Sequence, residues 1–539
     1  MAHADFSSQT YLVIDDLVAM RALMRGMLRS FGAIHLDQAR DGADAIALME
    51  RTRYDVVLCD YNLGLGKDGQ QVLEEARHRA LIGVETIFMM VTGENTRAMV
   101  MGAAEYAPDT YLTKPFTIDL LKPRLIRLFE RKSGLAGVDR ALRAGNHGAA
   151  VEQLNQLLVA KPGNRIELLR LKAEICLTAN RHDEAMAIYD NVLANLTTLN
   201  WAHLGKGKIL FQKKQYAQAR EVFTQLLERD PDCILAYDWL AKTQMAEQSF
   251  GEAEQTLKQA VALSPRNLAR QQRLGELALK KGDGKVAEAA FKRAAELARH
   301  SVLNHPSVHA GLARSKSLNR KHHEALKVAE DIGKTFSDHP EAAIYQASAI
   351  AVVQQDRGDA SGAAAALQAA EQAIAERGEG LSPRLALEMI KTYTRLDETQ
   401  KASVLLQRAI ANNHDDQEFL AEVLRVCHAT SLAQEADVTI RQIQRDIVRT
   451  NNAGVGLIKQ GDFDAAITLL NTAAEEMPGN RTVNLNAAKA WILTMETRGS
   501  STEGIQAVRR YIARVKKAAP NDWRLIDVQS RLQQLALKV

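Results

Sequence analysis

The chain has 539 residues, 46% hydrophobic and 5% aromatic, with 69 Lys+Arg against 65 Asp+Glu and a net charge of +4. That length holds several compact units or one repeat array, and so small a net charge gives no reason to invoke nucleic acid. No apolar run approaches the ~20 residues that cross a bilayer, and the start Met-Ala-His-Ala-Asp-Phe-Ser-Ser lacks the order of a signal peptide, so a cytoplasmic chain without a membrane partner is expected. Cys59, Cys176, Cys233 and Cys427 are far apart with no Cys-x-x-Cys, which points to buried reduced thiols instead of disulfides or zinc.

The first part of the chain reads as five alternating strands and helices. Its first apolar run, Tyr11-Leu12-Val13-Ile14, ends in Asp15-Asp16. The third, Val56-Val57-Leu58-Cys59, ends in Asp60, and the fourth, Ile87 to Val91, ends in Thr92. Lys114-Pro115 comes just after the fifth, Thr110-Tyr111-Leu112. In a parallel α/β sheet the carboxyl ends of the strands share one edge, so these five groups can meet. Three carboxylates suit a hard divalent cation such as Mg²⁺, and would repel one another unless a cation or a lysine offsets them. Lys114 supplies fixed positive charge and Thr92 a hydroxyl donor. Phosphoryl transfer needs mainly positioning and charge neutralisation, so the set suffices for it, with Asp60 as nucleophile forming an acyl phosphate.

With these residues in order, Thr10 to about Arg131 resembles the receiver domain of two-component response regulators, as in the chemotaxis receiver. The resemblance implies a doubly wound (βα)5 fold over residues 1–131. It implies Mg²⁺ on Asp15, Asp16, Asp60 and the backbone carbonyl of Asn62, phosphorylation of Asp60, and phosphoryl contacts from Thr92 and Lys114. It makes Tyr111 the aromatic that reports the phosphorylated state together with Thr92, and places Asn62 and Glu94 where receivers tune phosphoryl lifetime. The implied partner is a sensor histidine kinase or a phosphotransfer protein. One departure stands out. Many receivers have Pro four residues after the nucleophile and Gly eight after; here Gly64 replaces the Pro and Gly69 arrives one residue late.

After Arg131 the strand pattern stops. Residues 132–137, with Ser133-Gly-Leu-Ala-Gly137, read as a short linker, and 138–539 as an all-α solenoid of helical hairpins. Charge changes here too: residues 1–130 hold 14 basic and 18 acidic side chains, and the remainder 55 against 47. Stepping 34 residues aligns Ala173, Gly207, Ala241 and Gly275; then Ala185, Ala219, Ala253 and Ala287; then Tyr189, Phe223, Leu257 and Phe291. Pro231 and Pro265 close two successive units. A fixed period over four units signals a solenoid. Small residues let paired helices approach, the large residue fills the gap, and Pro stops the second helix. The pattern resembles the tetratricopeptide repeat. It is clearest at 138–300 and 450–480, where Gly454, Phe463, Ala466, Leu470 and Pro478 restore it. From about 300 to 450 it is degenerate: Ala313, Ala325 and Ala329 keep part of it, His-Pro at 305–306 and 339–340 mark hairpin ends, and Arg377 to Pro383 reads as a longer loop. Dividing the remaining length by the period gives about nine to eleven hairpins.

Solenoids of this kind bind peptides in a concave groove. Counting from Gly207 as the eighth residue of its unit, the family's groove positions fall on Trp201, Leu204, Lys208 and Phe211, with Arg170 before them and Asp238, Lys242 and Met245 after. Aromatic and cationic side chains there favour an unidentified protein or peptide partner with acidic segments, unless Trp201 simply packs between repeats. Ile440, Ile443 and Ile447 share one helical face, as core of a degenerate repeat or, less simply, as a homodimer seam. The leading functional reading is a non-enzymatic signalling adaptor whose array is switched by phosphorylation of Asp60. The alternative is a static scaffold with the receiver as docking module. A DNA-binding regulator lacks a helix-turn-helix with a basic recognition helix, and an output enzyme lacks a metal cluster or phosphate loop beyond the receiver.

Overall fold

The computed structural model describes residues 5–93, 105, 108–377, 380–427, 432–518, 522 and 524–536. Contacts divide the chain into two compact units, one of residues 1–143 with 147–308, the other of 309–539 with 144–146. The first unit holds a five-stranded parallel sheet, β1 (Thr10–Ile14), β2 (His35–Ala39), β3 (Val56–Asp60), β4 (Ile87–Thr92) and β5 (Thr110–Thr113), in the order β2-β1-β3-β4-β5. Every residue of β3 and β4 is buried, as strands covered on both faces must be, which explains their continuous apolar runs. Side chains alternate between the two covers. Tyr11, Val13, Leu58, Met89 and Leu112 join Met24 and Leu28 of helix α1 (Val18–Ser30) and Leu121 and Leu125 of the helix Ile118–Lys132. Leu12, Ile14, Cys59, Phe88 and Met90 join Ala45 of α2 (Gly42–Arg51) and Val72 and Leu73 of α3 (Gly69–His78).

The helix Ile118–Lys132 runs through Pro123 and is followed by the helix Ala136–Arg143. Only Ser133–Leu135 separates them, so the linker expected at 132–137 is shorter. Lys132 ends the first of these helices, with its ammonium anchored on Asp109 at 2.8 Å and on the Thr86 carbonyl.

Paired helices follow to residue 298, and the sequence columns have a direct steric cause. A Cβ on Gly207 would stand 2.4 Å from the Phe223 ring, and one on Gly275 2.7 Å from Phe291. Each of these two glycines is therefore the seat of the large residue on the partner helix of its own hairpin. Ala185, Ala219, Ala253 and Ala287 are fully buried. Asn180, Lys214, Gln248 and Gly282, also 34 apart, all take φ between 57° and 77° in the turn between paired helices.

Hairpins also build the stretch whose sequence pattern is degenerate: Pro306–Leu318 with His322–Thr335 and, wholly within the second unit, Ala342–Arg357 with Ala360–Arg377 and Pro383–Arg395 with Thr399–Asn412. Pro306 is the first residue of its helix and His339-Pro340 stands just before Ala342–Arg357, so both His-Pro pairs open hairpins instead of closing them. The spacing slips further on because one long helix, Ala433–Gln460, lies against both Gln417–Cys427 and Phe463–Glu476. Ile440 belongs to one core and Ile447 to the next, with Ile443 packed against both. Ile440 and Ile447 are buried and Ile443 partly so, the core packing expected of this helical face. All four cysteines are free thiols, and among the described residues no helix is long and apolar enough to cross a membrane.

Candidate functional site

The sheet order reverses direction between β1 and β3, the place where doubly wound sheets open a crevice at their carboxyl ends. Asp15 follows the last residue of β1, and Asp60 is the last residue of β3. Asp15 is fully buried, accepts the Leu17 N–H at 2.9 Å, and places Oδ2 2.8 Å from Lys114 Nζ. Asp60 is 6% exposed, with Oδ2 2.9 Å from the same Nζ. Asp16 is exposed, and one oxygen from each of Asp15, Asp16 and Asp60 lies within 4.8 Å of the others. Thr92 ends β4, is 7% exposed, and its carbonyl accepts the Lys114 N–H at 2.7 Å. The structure thus brings together the side chains of Asp15, Asp16, Asp60 and Lys114, up to 99 residues apart in sequence, with Thr92 joined to Lys114 through the backbone.

Charge is only partly offset locally. Burial pushes the Asp60 carboxyl up, and its hydrogen bond and attraction to Lys114 oppose that. Burial alone would lower Lys114, but hydrogen bonds to Asp15 and Asp60 and their charges outweigh it, so the ammonium is raised. One cation between two buried carboxylates leaves the cluster, with Asp16, short of positive charge. Three convergent carboxylates at the sheet edge are a donor set that fits a hard divalent cation.

The loop after Asp60 explains the departure noted in the sequence. Gly64 and Gly66 take φ of +71° and +107°, a region proline cannot enter. Leu65 between them is 99% exposed, and the Gly64 N–H turns back to Asn62 Oδ1 at 3.3 Å. A Cβ on Gly69 would stand 2.1 Å from the Asp60 carbonyl oxygen, so the late glycine is where α3 starts against the backbone of β3. The exposed Asn62 lies at the entry to this loop. Tyr111 on β5 is half-buried against the α3-side core; burial and then Tyr61 push its hydroxyl up, and its carbonyl accepts from Arg124. Glu94 lies outside the described residues.

In the helical array, Leu204 and Met245 are 7% and 9% exposed and belong to hydrophobic clusters. They are packing residues, a correction to their place among groove residues, because a helix-pair core claims any apolar side chain on its inner flank. Trp201 is half-buried and meets Tyr189 edge-on at 6.0 Å. Arg170 is exposed and pairs with Glu174 at 3.1 Å. Phe211, Lys208 and Lys242 gather around a residue that periodicity did not flag: Trp239 meets Phe211 at 5.6 Å and lies 5.5 Å and 4.7 Å from the two ammonium groups. Burial lowers Lys208, with Arg170 and Lys242 adding to that against Glu174.

Residues 11–126 match the family model described as the response regulator receiver domain. Over 123 residues the chain is 30% identical to the chemotaxis protein CheY of Pseudomonas aeruginosa, covering 98% of that protein and 23% of this one. The chain belongs to the response-regulator receiver family. A second relative of this receiver, CheY-3 of Vibrio cholerae, is 31% identical over 126 residues, 91% of its length and 22% of this chain. Behind the receiver, residues 135–197, 177–243 and 210–278 match tetratricopeptide repeat models. Among solved structures, YrrB, described as a TPR protein with an unusual peptide-binding site, aligns over 34% of this chain and 91% of its own at 16% identity and a TM-score of 0.30. The protein is therefore a response regulator that joins a receiver to tetratricopeptide repeats, both signalling and adaptor modules.

Proposed function

We propose that the chain is a phosphorylation-switched adaptor, with a receiver over residues 1–131 and the array from 138 onward as its output. The observation that carries this is Lys114 Nζ bridging Asp15 and Asp60 at 2.8 and 2.9 Å, at the crevice of the sheet. Asp60 attacks the phosphorus of a phosphohistidine on a sensor kinase or phosphotransfer protein. A carboxylate oxygen–phosphorus bond forms, the phosphorus–nitrogen bond breaks, and the electron pair returns to the imidazole. Lys114 and the Thr92 hydroxyl neutralise and orient the incoming oxygens. Asp15, Asp16, Asp60 and the Asn62 carbonyl would hold Mg²⁺, which when bound offsets the charge of phosphoryl and carboxylate oxygens. Tyr111 and Thr92 relay the change. Arg170, Trp201, Lys208, Phe211 and Lys242, with Trp239, form the cationic and aromatic surface offered to an acidic segment of a protein partner.

The test is mass spectrometry of the intact chain after acetyl phosphate and Mg²⁺. One phosphoryl group is expected on the wild type and none on Asp60→Asn. Labelling that persists in Asp60→Asn would sink the assignment.

A further inference from the structure

Within the first compact unit, the array also meets the α/β part at a place remote from their covalent junction. Arg270, in the helix Leu268–Lys281, has a fully buried side chain. Its Nε and Nη2 donate to the two oxygens of Asp238 at 2.9 and 2.7 Å, and Nη1 to the Ser264 carbonyl at 2.9 Å. Nη2 also donates at 2.6 Å to Glu105, whose side chain is 3% exposed. The other Glu105 oxygen accepts from Asn267 Nδ2 at 2.8 Å, and Asn267 is the N-cap of the same helix. Glu105 therefore enters a pocket made of a guanidinium, an amide and a helix amino end, all of which suit an anion.

Around this pocket the array grips the segment that follows Asp60. Arg266 pairs with Asp68 at 2.8 Å and stacks 5.3 Å from the Tyr61 ring. The Leu297 carbonyl accepts from Gln71 at 3.1 Å, and Ser301 Oγ donates to Glu74 at 2.6 Å. Glu105 itself lies on the stretch between β4 and β5, which leaves from Thr92. The array thus holds the segment that runs on from Asp60, and Glu105.

The charge count makes this contact reversible. Two carboxylates share one guanidinium. If Glu105 departs, Arg270 keeps its bidentate bond to Asp238, and no buried charge is left unpaired.

We propose that Arg270 and Asn267 form a carboxylate-binding pocket of the array, filled in cis by Glu105 and opened for an acidic side chain of a partner when Asp60 is phosphorylated. This rests on the reading of Asp60 as phosphoacceptor. Hydrogen exchange of the full chain, read on peptides covering 264–272, tests it. Wild type and Glu105→Gln are measured with Mg²⁺, with and without beryllofluoride, and with polyglutamate or polyglutamine as probe.

Glu105→Gln is expected to raise exchange across 264–272 about tenfold, and beryllofluoride to do the same in the wild type. Polyglutamate should restore protection in both opened forms, and polyglutamine in neither. Unchanged exchange in Glu105→Gln overturns the pocket's cis occupancy, and polyglutamate protection of the untreated wild type overturns the closure. Protection around Asp60 by beryllofluoride without opening of 264–272 overturns the inference alone. No protection around Asp60 overturns the phosphoacceptor reading with it.

Discussion

At the scale of single residues, the site is built from strand ends, and two glycines fix the loop beside it. Gly64 replaces a proline common in receivers, and its φ of +71° shows why the replacement cannot be reversed here. Gly64→Pro should cost about 3 kcal/mol of stability, because the ring forces φ near −65°; chemical denaturation of the full chain measures it, and an unchanged midpoint would refute the argument. Gly69→Ala should cost about 3 kcal/mol as well, since its methyl would stand 2.1 Å from the Asp60 carbonyl oxygen. A loss of phosphoryl uptake together with stability is expected, because the displaced backbone is that of the nucleophile. The five site residues were legible in the sequence, since each ends or follows an apolar run and strand ends converge in a parallel sheet. The reason for the late glycine was not, because it depends on the approach of α3 to the β3 backbone.

At the scale of elements, the repeat is a steric pairing of small and large residues, and its turns carry a second periodicity that hydrophobic columns do not reveal. Gln248 occupies with φ +64° the turn position that Gly282 fills with φ +77° one unit later. A side chain costs about 1–2 kcal/mol in that conformation, so Gln248→Gly should stabilise the array by roughly 0.5–1 kcal/mol once the added freedom of the unfolded chain is deducted. A melting temperature that falls would show that Gln248 contributes contacts worth more than its strain. The long helix Ala433–Gln460 shows the limit of column reading: one helix serving two neighbours shifts the period, so a regular array looks degenerate in sequence.

At the scale of the whole molecule, the second compact unit carries a pH dependence. Burial lowers His309, His339 and His414 from the ordinary value of 6.5. A histidine lowered in the folded state binds fewer protons there than when unfolded, so its contribution is complete above pH 6.5 and is lost as pH falls through 6.5 toward the folded value. Thermal unfolding should therefore show a transition of this unit that drops on acidification from about pH 7.5 to 5.5, and His309→Gln should flatten that slope. An equal slope in the variant would assign the effect elsewhere. The sequence by itself determined the fold class, the carboxylates with their lysine and threonine, and the helical repeat, because each follows from local periodicity or from residues at strand ends. Tertiary structure alone decided that Leu204 and Met245 face inward, that Trp239 gathers the cationic side chains, and that Arg270 meets Glu105. Those facts depend on which surfaces meet when residues 165 positions apart are brought together, and no local pattern encodes that distance.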